Sequence, residues 1–174
     1  PLEECLKNHG IRYDLFLTQS REHLIRLALE LSSSHSPIIA AGGDSSLTII
    51  ADAFLKNQVS VPLAMIGIGS SNDISMEFDT AGLDKACSAL KIGKTRNIDA
   101  GAVFSEGKLL YHFIGHANIG LGAHIARDIE RMSRKLRGLS RRQTFAGALA
   151  ALNAIRSGTV PADLTVETEG KTVW

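Results

Sequence analysis

Two short stretches hold the residues whose types and order could do chemistry. Ile38-Ile39-Ala40-Ala41 runs into Gly42-Gly43-Asp44-Ser45-Ser46, a hydrophobic run followed by a glycine pair, an acid and two hydroxyls. Ile66-Gly67-Ile68 runs into Gly69-Ser70-Ser71-Asn72-Asp73 and repeats that order. Glycines allow positive φ and let a ligand approach the main chain, while the free N–H groups at the start of a following helix favour phosphate. Carboxylates beside phosphate make sense only with a cation between them. The pattern therefore points to binding of a phosphorylated group. Taken singly, either stretch is also compatible with an ordinary strand-to-helix turn in which the acid or serine caps the helix.

For both turns to face one ligand, they must end neighbouring strands of a parallel sheet, where ligands bind at the carboxyl edge. The sequence supplies such units. Tyr13–Leu17 alternates as a short strand, and Ser20 is an N-cap for a helix over Arg21–Leu31 with Leu24, Leu27, Ala28 and Leu31 on one face. Ile38–Ala41 reads as a buried strand. Leu47, Ile50, Ala51, Phe54 and Leu55 then mark a helix, Leu63–Ile68 another strand, and Leu83, Ala86, Cys87 and Leu90 a further helix. This alternation predicts an α/β fold with a parallel sheet. Past Arg96 the pattern changes: Ile98–Phe104 and Leu109–Ile114 predict a hairpin about Ser105-Glu106-Gly107-Lys108. Ile125, Ile129, Met132 and Leu136 predict a helix, Thr144–Ile155 another, and Leu164–Glu167 with Lys171–Trp174 a second hairpin about Glu169-Gly170. The expected division is an α/β domain over residues 1–97 and the start of a β-rich second lobe over 98–174.

Composition narrows the function classes. With 174 residues, 44% of them hydrophobic, the chain can bury a core. Nineteen basic residues against eighteen acidic ones give no overall reason to bind nucleic acid. Cys5 and Cys87 have no zinc-site spacing in sequence and read as reduced core thiols. No apolar run approaches the ~20 residues that span a bilayer. Pro1 opens no signal-peptide pattern, so the chain reads as a piece of a cytosolic protein.

Neither turn is a P-loop or a dinucleotide fingerprint, because the lysine of one and the spaced glycines of the other are missing. Gly42-Gly43-Asp44-Ser45-Ser46 instead resembles the Gly-Gly-Asp-Gly-Thr signature of the diacylglycerol, sphingosine and ceramide kinases and their bacterial lipid-kinase relatives. Gly69-Ser70-Ser71-Asn72-Asp73 resembles their Gly-Thr-x-Asn-Asp turn. Leu17-Thr18 is similar to a nucleotide-contacting threonine segment of that family, Arg96-Asn97-Ile98-Asp99-Ala100-Gly101 to its Ile-Asp-x-Gly strand, and Asn118-Ile119-Gly120-Leu121-Gly122 to its small-residue turn. The resemblance spans nearly the whole chain in order.

It implies a phosphofructokinase-like domain that transfers the γ-phosphoryl group of ATP to a lipid hydroxyl such as that of diacylglycerol. Thr18, Gly42, Gly43, Ser45, Ser46, Gly69, Ser70 and Asn72 would hold the nucleotide. Asp44, Asp73 and Asp99 would meet Mg²⁺ directly or through water, and Asp44 would receive the acceptor's proton. Ser45 stands where the family has glycine, which would hinder phosphate approach if that position required positive φ. An NAD kinase and a non-catalytic nucleotide-binding regulator are the alternatives. His112, His116 and His124 lack a metal spacing and read as half-buried or surface residues. The basic stretch Arg127–Arg142 reads as a solvated helix face, or as a contact for an anionic membrane at which a cytoplasmic lipid kinase meets its substrate.

Overall fold

The computed structural model describes residues 1–69, 71–118, 120–135, 147–149, 152–153, 167–168 and 171–172. The chain forms two compact units, Pro1–His116 and Ala117–Trp174.

In the first unit, β1 (Ile38–Gly42) and β2 (Leu63–Gly67) pair in parallel, Ile38 beside Leu63 and Gly42 beside Gly67. A parallel pair needs a crossover, and α3 (Asp44–Lys56) supplies it. Side chains alternate across the strands, so each face of the sheet acquires its own core. Ile38 and Ala40 point to one side, where they meet Ala28 of α2 (Arg21–Leu31) and Leu47, Ile50 and Phe54 of α3. Ile66 points to the other, where it packs with Leu6 of α1 (Leu2–Asn8) and Ala86 and Cys87 of α5 (Leu83–Ile92). Burial there, with Cys5 beside it, pushes the Cys87 thiol up to about 11, and both cysteines are free. A short helix, α4 (Asp73–Glu77), follows the second glycine turn and adds Ile74 to the first core.

The N-cap signal of α2 holds, and α5 closes on a glycine. Ser20 accepts the N–H of His23 at 3.1 Å, and Gly93, with φ 68°, takes the left-handed position that closes α5. Among the expected buried residues of α3, Leu55 is an exception and remains 47% exposed. Tyr13–Leu17 is not a strand. Among the described residues nothing pairs with its main chain, and Leu15, Phe16 and Leu17 lie exposed while Ile11 and Tyr13 pack on the second core. A helix at α1 is not among the elements read from the sequence.

The hairpin forms as β3 (Gly101–Ser105) and β4 (Lys108–Phe113), antiparallel. Glu106 and Gly107 both have positive φ, at 51° and 75°, as a two-residue turn that follows strand twist requires. Its first strand begins at Gly101, paired with Phe113, and Ile98–Ala100 precede the ladder. The hairpin lies in the first unit because α3 grips it. The Lys56 ammonium donates to the Leu110 carbonyl at 2.7 Å, and the His112 N–H donates to Asp52 at 2.8 Å.

In the second unit, α6 (Leu121–Lys135) carries half-buried Ile125 and Ile129 as the apolar stripe requires. Residues 147–149 and 152–153 are helical, and β5 (Glu167–Thr168) pairs with β6 (Lys171–Thr172). Leu136, Arg137, Arg141, Arg142 and the remainder of the expected helix over 144–155 and of the second hairpin lie outside the described residues. No helix of the described residues is long and apolar enough to cross a membrane.

Candidate functional site

Parallel pairing of Gly42 with Gly67 brings the two glycine turns side by side at the carboxyl edge of the sheet. There they touch through main chain. A β-carbon at Gly69 would lie 2.6 Å from the Gly43 nitrogen, and one at Gly43 would lie 2.9 Å from the Ser71 carbonyl oxygen. Neither residue has positive φ. The glycines are therefore needed for close approach of one turn to the other, where the sequence offered positive φ as a second reason.

Asp44, the first residue of α3, fastens that contact. Its own N–H donates to the Ser71 carbonyl at 3.1 Å. Its carboxylate accepts the N–H groups of Asp73 at 2.9 Å and Ile74 at 3.1 Å and the Ser71 hydroxyl at 3.1 Å. The α4 N-terminus is thus capped from another helix, and Asp73 is not its own cap. Asn72 holds the second turn in shape, giving its amide to the Gly69 carbonyl at 2.8 Å and accepting the Gly69 N–H at 3.1 Å. Ser46 packs its hydroxyl over Gly42. Ser45 has the main chain of the second residue of α3 and is exposed, so the left-handed conformation considered from the sequence does not arise.

A cavity of about 900 Å³ opens beside the turns. Asp44, Ser45, Ser71 and Asp73 line it from the turns, Asp99 and Ile98 from the segment before β3, and Tyr111, His112 and His116 from β4 and beyond. Its size suits a nucleotide-sized ligand, within the roughly 300–1,000 Å³ of small-molecule sites. Thr18 does not line this cavity; it borders a second one with Phe16, Leu17, Ala41 and Ile68. Ser70 lies outside the described residues.

Asp44, Asp73 and Asp99 share the cavity, and the ion pairs among the described residues involve other carboxylates. They do not form a compact three-ligand cluster; among the described residues that arrangement occurs only at Cys5, His9 and Cys87. Three carboxylates spread around one cavity, with Arg21 also on its wall, fit a hydrated Mg²⁺ better than a dehydrated one.

Asp52 was not foreseen. It is a buried carboxylate on the wall of the same cavity, and it accepts the Lys56 ammonium at 2.9 Å and the His112 ring Nδ1 at 3.1 Å besides the His112 N–H. Burial alone would raise its pKa, but these donors outweigh burial and hold the carboxyl below its ordinary range. The signal in the sequence is an acid among Ile50, Ala51, Ala53 and Phe54 with a lysine four residues on.

The family model of the diacylglycerol kinase catalytic domain matches residues 1–103. The chain is 29% identical over 137 residues to a probable lipid kinase YegS-like protein of Pseudomonas syringae pv. syringae (strain B728a), covering 76% of this chain and 42% of that protein. It is 29% identical over 108 residues to one of Pseudomonas aeruginosa (strain UCBPP-PA14), covering 62% and 34%. The counterpart of strain PAO1 is 28% identical over the same length. The chain thus spans less than half the length of these curated relatives. No solved structure matches it.

Proposed function

This chain belongs to the diacylglycerol kinase catalytic domain family, and we propose that it is the nucleotide-binding part of an ATP-dependent lipid kinase of phosphofructokinase-like, two-lobed architecture. The observation that carries this reading is the Asp44 bridge, which sets two phosphate-type turns at one cavity whose wall also bears Asp73 and Asp99. Relatives described as probable lipid kinases favour a lipid over NAD as acceptor. The helical main chain of Ser45 removes the steric ground for a non-catalytic nucleotide binder.

In this reading the exposed start of α3, with Ser45 and the dipole of a 13-residue helix, faces the phosphates from one side. The main-chain N–H groups of Asp73 and Ile74 are taken by Asp44, so the second turn contributes through its carboxylate and Ser71 rather than through a free α4 N-terminus. Mg²⁺, held through water by Asp44, Asp73 and Asp99, would neutralise phosphate charge as the group moves. Two donors occupy Asp44 Oδ2 and one occupies Oδ1. A carboxylate oxygen offers about two lone pairs, so Oδ1 retains one, which would serve in turn the metal-bound water and the acceptor hydroxyl that Asp44 orients and deprotonates. Diacylglycerol is the proposed acceptor class. The Arg127–Arg142 stretch is the proposed contact with anionic membrane, each basic residue adding about 1 kcal/mol near the surface.

The test is labelled-phosphate transfer from ATP by the full-length protein, with diacylglycerol, a sphingoid base and NAD as competing acceptors. Label in the lipid phase supports the reading. Label in NAD, or nucleotide binding with no transfer to any acceptor, overturns it.

A further inference from the structure

Where α1 packs on α5, away from the glycine turns, three side chains converge that the phosphate cavity does not use. Cys5 and His9 stand four residues apart at the end of α1, one helical turn, and so share a face. Cys87 lies on α5 and is fully buried. One ligand atom from each of the three falls within 4.8 Å of the other two. The Cys5 Sγ is 3.8 Å from His9 Nδ1. An ion with bonds of about 2.3 Å to sulfur and about 2.1 Å to nitrogen at a tetrahedral angle would place those atoms about 3.6 Å apart, so little movement is required.

The other ring nitrogen adds an independent observation. His9 Nε2 lies 3.3 Å from the Asp84 carboxylate and 3.2 Å from the Ser88 hydroxyl, both on α5. A histidine that ligates a metal usually gives its second N–H to a carboxylate, which fixes the tautomer and turns the ring. Asp84 stands where that partner belongs.

We infer that Cys5, His9 and Cys87 form a binding site for one thiophilic divalent ion of the zinc type, with His9 Nε2–H donated to Asp84. Two sulfurs and an imidazole select Zn²⁺ over Mg²⁺ or Ca²⁺, which prefer oxygen. Three protein ligands leave a fourth position for water on the half-buried α1 side. Binding forms two metal–sulfur bonds and one metal–nitrogen bond and releases the two thiol protons to solvent; no electron is transferred. His9 Nδ1 gives up its 2.9 Å contact with the Cys5 carbonyl, its proton moving to Nε2. The ion then ties α1 to α5 across the core of Leu6, Ile66 and Ala86.

The test is titration of the reduced, metal-free chain with Co²⁺ and then Zn²⁺. One cobalt per chain should bind with a sulfur-to-cobalt charge-transfer band in the near ultraviolet, and Zn²⁺ should displace it and raise the melting temperature. Cys5→Ser and Cys87→Ser should each abolish the band. Cys87 is in the core, so if Cys87→Ser does not fold, Cys5→Ser at the half-buried position decides. Asp84→Asn should keep the band and the stoichiometry but weaken affinity by about 10–100-fold. The inference is overturned if the reduced chain binds no cobalt, if the band survives in Cys5→Ser, or if the two thiols close to a disulfide in the presence of excess Zn²⁺.

Discussion

Asp44 opens α3 and yet caps α4: its Oδ2 accepts the Asp73 N–H at 2.9 Å, across the boundary between the two glycine turns. The same carboxylate thus has a structural duty and, in the proposed reaction, a chemical one. Asp44→Asn should abolish transfer by the full-length protein. It should also lower stability, by about 1–3 kcal/mol, because an amide cannot satisfy the N–H groups of Asp73 and Ile74 and the Ser71 hydroxyl together. Urea unfolding alongside the transfer assay checks both. Wild-type turnover would remove Asp44 from the chemistry, and an unchanged midpoint would remove it from the scaffold.

Gly69→Ala should act through its neighbour. The added carbon collides with the Gly43 main chain, and no flexible side chain is there to yield. A loss of about 1–3 kcal/mol is expected, with weaker binding of ATP measured by calorimetry. Equal stability and affinity would show that the turns separate more readily than their contact implies.

Position 45 tests the departure from the family signature. Ser45 has helical main chain, so glycine relieves nothing there, and Ser45→Gly should not strengthen ATP binding while costing about 0.5–1 kcal/mol of stability. A clear gain in affinity would mean that the serine does obstruct the phosphates.

The buried carboxylate of Asp52 gives a pH dependence. Its folded pKa lies below the ordinary 3.8, so its contribution to stability is fully present above that value and is lost as pH falls through the folded value. Asp52→Asn should therefore destabilise the chain at neutral pH, by about 1–3 kcal/mol, since the amide oxygen can keep the His112 N–H but the Lys56 ammonium then faces an NH₂ donor and loses its charged acceptor. The gap between variant and wild type should narrow at the acid end of the range in which both still fold. A gap that is constant with pH would show that the charge of Asp52 is immaterial.

Glu replacements at Arg134, Lys135 and Arg137 should weaken binding of the full-length protein to phosphatidylserine vesicles at low salt. Attraction of this kind is screened within about 8 Å at physiological ionic strength, so wild-type binding should also fall as salt rises. Co-sedimentation that is equal for variant and wild type would place the membrane contact elsewhere.

Local signals made much of the fold legible. Ser20 as a cap, the Glu106-Gly107 turn and the apolar faces of α2, α3 and α5 depend on neighbours in sequence, and the structure has them where the residues indicate. Tyr13–Leu17 alternates well enough for a strand, but strand formation requires a partner, which alternation alone does not reveal. At the site, Asp44, Ser45, Asp73 and Asp99 do reach one cavity, while Thr18 borders another. The tasks of Asp44 and Asp52 were hidden for one reason. Each is defined by donors 30 or 60 residues away, the N–H groups of Ile74 and His112, and no spacing rule covers such a distance.

α3 is held at three points along its length: Asp44 to the second glycine turn, and Asp52 and Lys56 to the hairpin. Eight residues separate the first two, about 12 Å at a rise of 1.5 Å per residue. The helix therefore works as a gauge block between two walls of the cavity. A ligand that pushes one wall must carry the other with it, and the span offered to an acceptor is set by the count of residues along one helix.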